Sequence, residues 1–282
     1  MSGKTPVGSW IGAVVVVLAV VVAGMYLSRK ALQPDTQEAS APAASASVVT
    51  AATTPLAAIQ HPIEHAAAPA PAATVPLPAL ADSDASVASA LASLGGAHLG
   101  QLLVPGQIIP HIVATIDALP RQGQATAMLP LRPPKGAFIT RSVDGQTVIS
   151  ERNAERYAPY MAIIDHVDSK ALVAWYVHHY PLFQQAYQQL GYPKGYFNDR
   201  LVVVIDHLLA APELSQPAAL VKPEAFYRYQ DPALESLSCG QKMLLRVGPA
   251  NEARIKSTLR AIRSELTGQI LPAAAAVAST PQ

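Results

Sequence analysis

Cysteine is almost missing from this chain. Cys239 stands alone among 282 residues, which excludes an internal disulfide and any zinc site built from several thiolates. Charge is also scarce, at 14% of residues, and balanced at a net +1. The stretch 82–268 holds 17 Lys/Arg against 16 Asp/Glu, so no basic field draws in nucleic acid and none is expected as a partner. A Gly-x-Ser-x-Gly elbow, a Gly-rich phosphate loop and a His-Glu-x-x-His pair are all absent. With those signatures gone, no catalytic residue and no cofactor is expected.

What the chain does have is one long apolar run. Ile11 to Leu27 is seventeen residues without charge or proline, flanked by Trp10 and Tyr26 and followed by Arg29-Lys30. That length is at the short end of a bilayer span, and the flanks suit the headgroup region. A cleaved signal peptide calls for small residues at the exit, whereas this exit is bulky and then basic. The run predicts an uncleaved transmembrane helix at 11–27 behind a short tail, 1–10. Residues 28–81 read as a disordered linker, because 31–80 carry 17 Ala, 8 Pro and only three charged side chains. Linkers of this composition place the domain in the periplasm, anchored in a bacterial inner membrane. Residues 82–268 read as one folded domain and 269–282 as a disordered tail.

Within the domain the expected fold class is mainly α, with one small β-hairpin. Ser83 or Asp84 caps a first helix that Gly95-Gly96 stops. Gln107–Leu119 carries isoleucine and valine at helical spacing with Pro110 in its first turn. Asp144-Gly145 between two alternating runs marks a hairpin at 138–149, the single β element expected. Helices follow at 152–166 and 169–190, the latter with Pro181 inside it. Asn198 is expected to cap a helix to Ala210 that is apolar all round, with Val203 and Asp206 facing the core. One helix is then expected from Asp231-Pro232 to Gly248, with Cys239 in its middle, and a last one to Leu266, closed by Gly268.

Asp165-His166, Asp206-His207 and the pair His178-His179 recur along the domain. Helical metal ligands share a face only when three or four residues apart. None of these four histidines has a His, Asp or Glu at i±4, so no metal site is expected. Arg200, Arg246 and the tyrosines are the partners open to Asp206. Lys256, Arg260 and Arg263 read as a solvated stripe on the last helix, with Glu252 paired to Lys256. Nine of ten tyrosines lie between 157 and 229, and they read either as a core with polar rims or as a contact surface. The turn between Pro181 and Arg200 concentrates aromatics beside glycine and proline, which selects Tyr192, Tyr196 and Arg200 as binding residues.

Several stretches resemble the bacterial domain-of-unknown-function family 3014. They are Leu131-Arg132-Pro133-Pro134, Tyr180-Pro181-Leu182-Phe183-Gln184-Gln185-Ala186-Tyr187 and Leu190-Gly191-Tyr192-Pro193. Phe197-Asn198-Asp199-Arg200-Leu201, Ile205-Asp206-His207-Leu208-Leu209 and Gln241-Lys242-Met243-Leu244-Leu245-Arg246 continue the likeness in order. The resemblance implies a membrane-anchored envelope protein without an assigned activity and supplies no catalytic residues. The expected function is a tethered helical domain that binds an envelope protein or a cell-wall component without catalysis. The alternative is a periplasmic hydrolase or transferase whose Asp/His site assembles only in the fold. If Ile11–Leu27 spans the bilayer, the full chain resists carbonate extraction from membranes, and a fragment beginning near residue 80 stays soluble and folded. Release of the full chain by carbonate contradicts the anchor.

Overall fold

The computed structural model describes residues 58–66, 76–122, 129–223 and 226–268. The predicted span at 11–27, the tail 269–282 and most of the predicted linker lie outside these residues. No helix among the described residues is long and apolar enough to cross a membrane.

The elements are α1 (Asp84–Leu102), α2 (Ile108–Ala118), β1 (Thr140–Val143), β2 (Gln146–Ile149), α3 (Ala158–His166) and α4 (Ser169–Gln189). They continue with α5 (Phe197–Leu209), β3 (Ala219–Val221), β4 (Arg228–Tyr229), α6 (Pro232–Glu235), α7 (Cys239–Arg246) and α8 (Pro249–Thr267). A 3₁₀ helix, Glu151–Tyr157, leads into α3. The fold is mainly helical, as expected. α1 packs on α3, α2 on α4, and both α4 and α5 on α8.

The helices start where local chemistry supplies acceptors. Asp168 accepts from the Lys170 and Ala171 amides to open α4. Ser238 and Gln241 form a reciprocal capping box at α7. Other caps come from distant residues. The Asp84 carboxylate accepts from the Gln107 and Ile108 amides at 2.7 and 2.8 Å and so caps α2 rather than α1. The α4–α5 connection is tied by Gln184, whose Oε1 accepts from the Phe197 amide at 2.8 Å and whose Nε2 donates to the Gly195 carbonyl at 2.7 Å.

Several expectations are corrected. α1 runs through Gly95-Gly96 instead of stopping there. Gly95 lies against α3, where an added Cβ would come within 3.1 Å of Ile163 Cγ2, so this glycine serves helix packing. The hairpin forms where expected, with Asp144 at φ 49° and Gly145 at φ 77°, yet it is half of a four-stranded antiparallel sheet ordered β1-β2-β3-β4. β3 and β4, at three and two residues, are too short to show a period-2 pattern. Asn198 sits inside the first turn of α5 instead of capping it, and the single helix expected from Asp231 is two, α6 and α7. Cys239 therefore opens α7. It is buried as a small packed residue, and burial pushes its thiol up to about 11.

The last helix also departs from the solvated stripe. Lys256 is 1% exposed and Glu252 beside it is 3% exposed. The ammonium donates to the Ala211 carbonyl at 2.6 Å and pairs with Glu213 at 3.1 Å and Glu252 at 3.0 Å. A buried charge needs such a full set of partners, and Lys256 has one. Burial pushes the Glu252 carboxyl up even so.

α5 is buried at Leu201, Val202, Val204, Ile205 and Leu208, but Val203 is 54% exposed. Asp206 is half-exposed, and its partner is Arg263 rather than Arg200 or Arg246. α5 is thus amphipathic, its outer face held against α8 by an ion pair. Leu208→Ala should cost about 2–5 kcal/mol through the cavity it leaves, whereas Val203→Ala should stay within about 0.5 kcal/mol. Urea denaturation of the two variants tests this assignment, and equal losses contradict it.

Candidate functional site

Tyr192, Tyr196 and Arg200 lie on the loop between α4 and α5 and on the first turns of α5, and all three are half-buried. The loop turns at Gly191, with φ 117°. Gly195 is fixed by space, because a Cβ there would stand 2.7 Å from the Tyr187 ring. That ring stacks on Tyr192 with centroids 4.6 Å apart. Tyr196 packs on Tyr180, centroids 5.5 Å apart.

The residue that joins two of the three is Asp117 in the last turn of α2, which the sequence reading did not single out. Its carboxylate is 4% exposed and accepts from Arg200 Nε at 2.9 Å, from the Tyr192 hydroxyl at 3.1 Å and from Arg121. Arg200 also donates to the Asp117 carbonyl at 2.7 Å. The signal available in the sequence was one acid inside an apolar helix, four residues before an arginine. Tyr196 belongs to a second group with Asn198 and Asp199. There the Tyr196 hydroxyl, the Asn198 amide and the Asp199 carboxylate all bond to residues 60–63. Tyr187, Lys194, Gly195, Tyr196, Asp199, Arg200 and Val203 line an open cleft of about 340 Å³, with Ile59 at its edge.

The other tyrosines divide clearly. Tyr157, Tyr160, Tyr176, Tyr180, Tyr187 and Tyr229 are buried. Tyr176, Tyr180 and Tyr187 share the inner face of α4, and burial pushes the Tyr176 and Tyr180 phenols up.

The Asp/His candidates do not meet. Asp165 pairs with Arg254 and Asp206 with Arg263, nine residues further along α8, or roughly 13 Å of helix. His166 bonds to the Ala162 carbonyl one turn back and His207 to the Ser238 hydroxyl at 2.8 Å. His179 is buried against Trp175, and burial lowers both it and His207. No cluster of three metal-ligating groups occurs among the described residues.

A second cleft, of about 210 Å³, lies between the sheet and the start of α8 and includes Ser150, Asn153, Arg246 and Glu252. Several of its polar groups are engaged within the fold. Asn153 bonds to Ile139, Ser150 and Arg156, Arg246 lies over the Tyr229 ring, and Glu252 holds Lys256.

The sequence model of one protein family, described as "Protein of unknown function (DUF3014)", matches residues 108–263, more than half of the chain. No curated protein and no solved structure matches. The matched span contains Asp117, Tyr192, Tyr196, Asn198, Asp199 and Arg200.

Asp117→Ala removes the acceptor shared by Arg121, Tyr192 and Arg200, and should lower unfolding free energy by about 2–4 kcal/mol. Arg121→Ala, at a side chain 61% exposed, should lose less than about 1 kcal/mol. Denaturant melts of both variants check the order, and a larger loss for Arg121→Ala reverses the assignment.

Proposed function

The chain belongs to the DUF3014 family, and we propose that it is a non-catalytic, single-pass protein of a bacterial inner membrane. In this reading Ile11–Leu27 anchors it. The linker carries the helical domain into the periplasm, and the domain binds an envelope protein or a cell-wall component. With residues 60–63 bonded to the domain, about 27 residues before them would give a reach of roughly 30 Å as a flexible coil and up to about 80 Å as polyproline II.

The observation that carries the reading is the convergence of Tyr192, Tyr196 and Arg200 on one rim, half-exposed and held in place before any partner arrives. Asp117 fixes the guanidinium and the Tyr192 hydroxyl, and Tyr187 fixes the Tyr192 ring. Side chains locked in this way lose little entropy on binding, which is where preformed contact surfaces gain affinity. Tyr and Arg are the residues in which interface energy concentrates. The separation of Asp165 from Asp206, each in its own ion pair, speaks against the hydrolase or transferase reading.

Photoreactive residues at Tyr192, Tyr196 and Arg200 should capture a partner in native membranes, and control positions on the exposed face of α8 should capture none. Equal capture at both sets, or none at the loop, overturns the proposal.

A further inference from the structure

The same rim already holds a piece of polypeptide. Residues 58–66, inside the stretch read as linker, lie across the start of α5. The Asp199 carboxylate accepts from the Gln60 amide at 3.0 Å and from the His61 amide at 2.6 Å. Asn198 Nδ2 donates to the His61 carbonyl at 2.8 Å, and the Tyr196 hydroxyl accepts from the Ile63 amide at 2.9 Å. Asn198 is fully buried and its Oδ1 takes the Tyr176 hydroxyl at 3.3 Å, which leaves Nδ2 aimed at the strap. Every one of these bonds goes to strap backbone. Strap side chains add only packing, with Ile63 and Ala66 against the core.

Two features point beyond a fixed part of the fold. Most of the strap lies on the surface, with Ala58, Ile59, Gln60, Glu64 and His65 exposed. Apolar side chains also stay exposed on both sides of the contact, Ile59 of the strap at 51% and Val203 of α5 at 54%, both lining the open cleft.

We infer that Tyr196, Asn198 and Asp199 clamp the backbone of a peptide, that residues 58–66, which bend into a 3₁₀ turn at Ile63–His65, are the resident occupant, and that the partner is a protein segment of similar backbone shape which displaces them. This rests on the reading of the rim as a partner surface and narrows it from envelope material in general to protein. Because every clamp bond goes to main chain, one clamp accepts two sequences. A strap on the same chain competes at an effective concentration on the order of millimolar. It therefore weakens binding of any free segment.

The test uses the full chain in detergent micelles and a fluorescent peptide with the sequence of residues 58–66, read by anisotropy. Proline has no amide hydrogen, so His61→Pro with Ile63→Pro removes two strap donors and leaves the clamp untouched. The doubly substituted chain should bind the peptide at least tenfold more tightly than the wild type, and His61→Pro alone should show a smaller gain. Adding Asp199→Ala should abolish the gain. Equal affinity for wild type and both released variants overturns the inference, as does a gain that survives Asp199→Ala. Crosslinking at Arg200 separates the two readings. A partner captured equally by wild type and released chain upholds the surface and sinks the displaceable strap. Peptide binding to the released chain, with no partner captured by either, upholds the clamp and sinks the partner surface.

Discussion

The Asp117 carboxylate sits in the last turn of α2, where the exposed carbonyls already give the helix end a negative partial charge. It is also buried, so protein donors must take the place of water around it. Arg121 supplies one from the next turn, and Arg200 and Tyr192 supply the others from the α4–α5 corner. That demand ties the end of α2 to the start of α5 and orients the loop between them. The positions of Tyr192 and Arg200 follow from it, while Tyr196 is set by Tyr180 and the Ile63 amide.

A second buried charge does the same work on the other side. Lys256 lies beneath the segment after α5, and its ammonium draws in the Ala211 carbonyl and Glu213 as well as Glu252. α5 is therefore fixed at its beginning by Asp117 and at its end by Lys256, with Asp206 and Arg263 pairing along its flank. The strap extends this arrangement. It adds backbone donors to Asp199, which lies in the first turn of α5, where a carboxylate suits the positive helix end. Its backbone bonds fall on neither of the two buried charges, Asp117 and Lys256.

The carboxylates and imidazoles that suggested a reaction centre are each held by a structural partner: Asp165 by Arg254, Asp206 by Arg263, His207 by Ser238. At the rim, by contrast, aromatic faces stand beside a guanidinium that Asp117 holds in place, a set that suits the binding role proposed above.

Much of the helical architecture was legible in the sequence because its causes are local. The isoleucine spacing of Gln107–Leu119, the Asp144-Gly145 turn and the left-handed Gly268 each act within a few residues. Contacts between distant residues decided the rest. α1 runs on through Gly95-Gly96, with Gly95 closed in by Leu99 of its own helix and by Ile163 from α3. Asp84 and Gln184 cap helices other than their own. β3 exists because β2 offers it an edge, and β4 because β3 does. Lys256 is buried although its stripe looks solvated. By itself the sequence determined where apolar faces and turns fall, since propensity and periodicity act over one or two turns of chain. Which charge finds which partner was settled only by the tertiary structure. A buried ion is stable only where several distant donors or acceptors converge on it, and no spacing along the chain encodes that convergence.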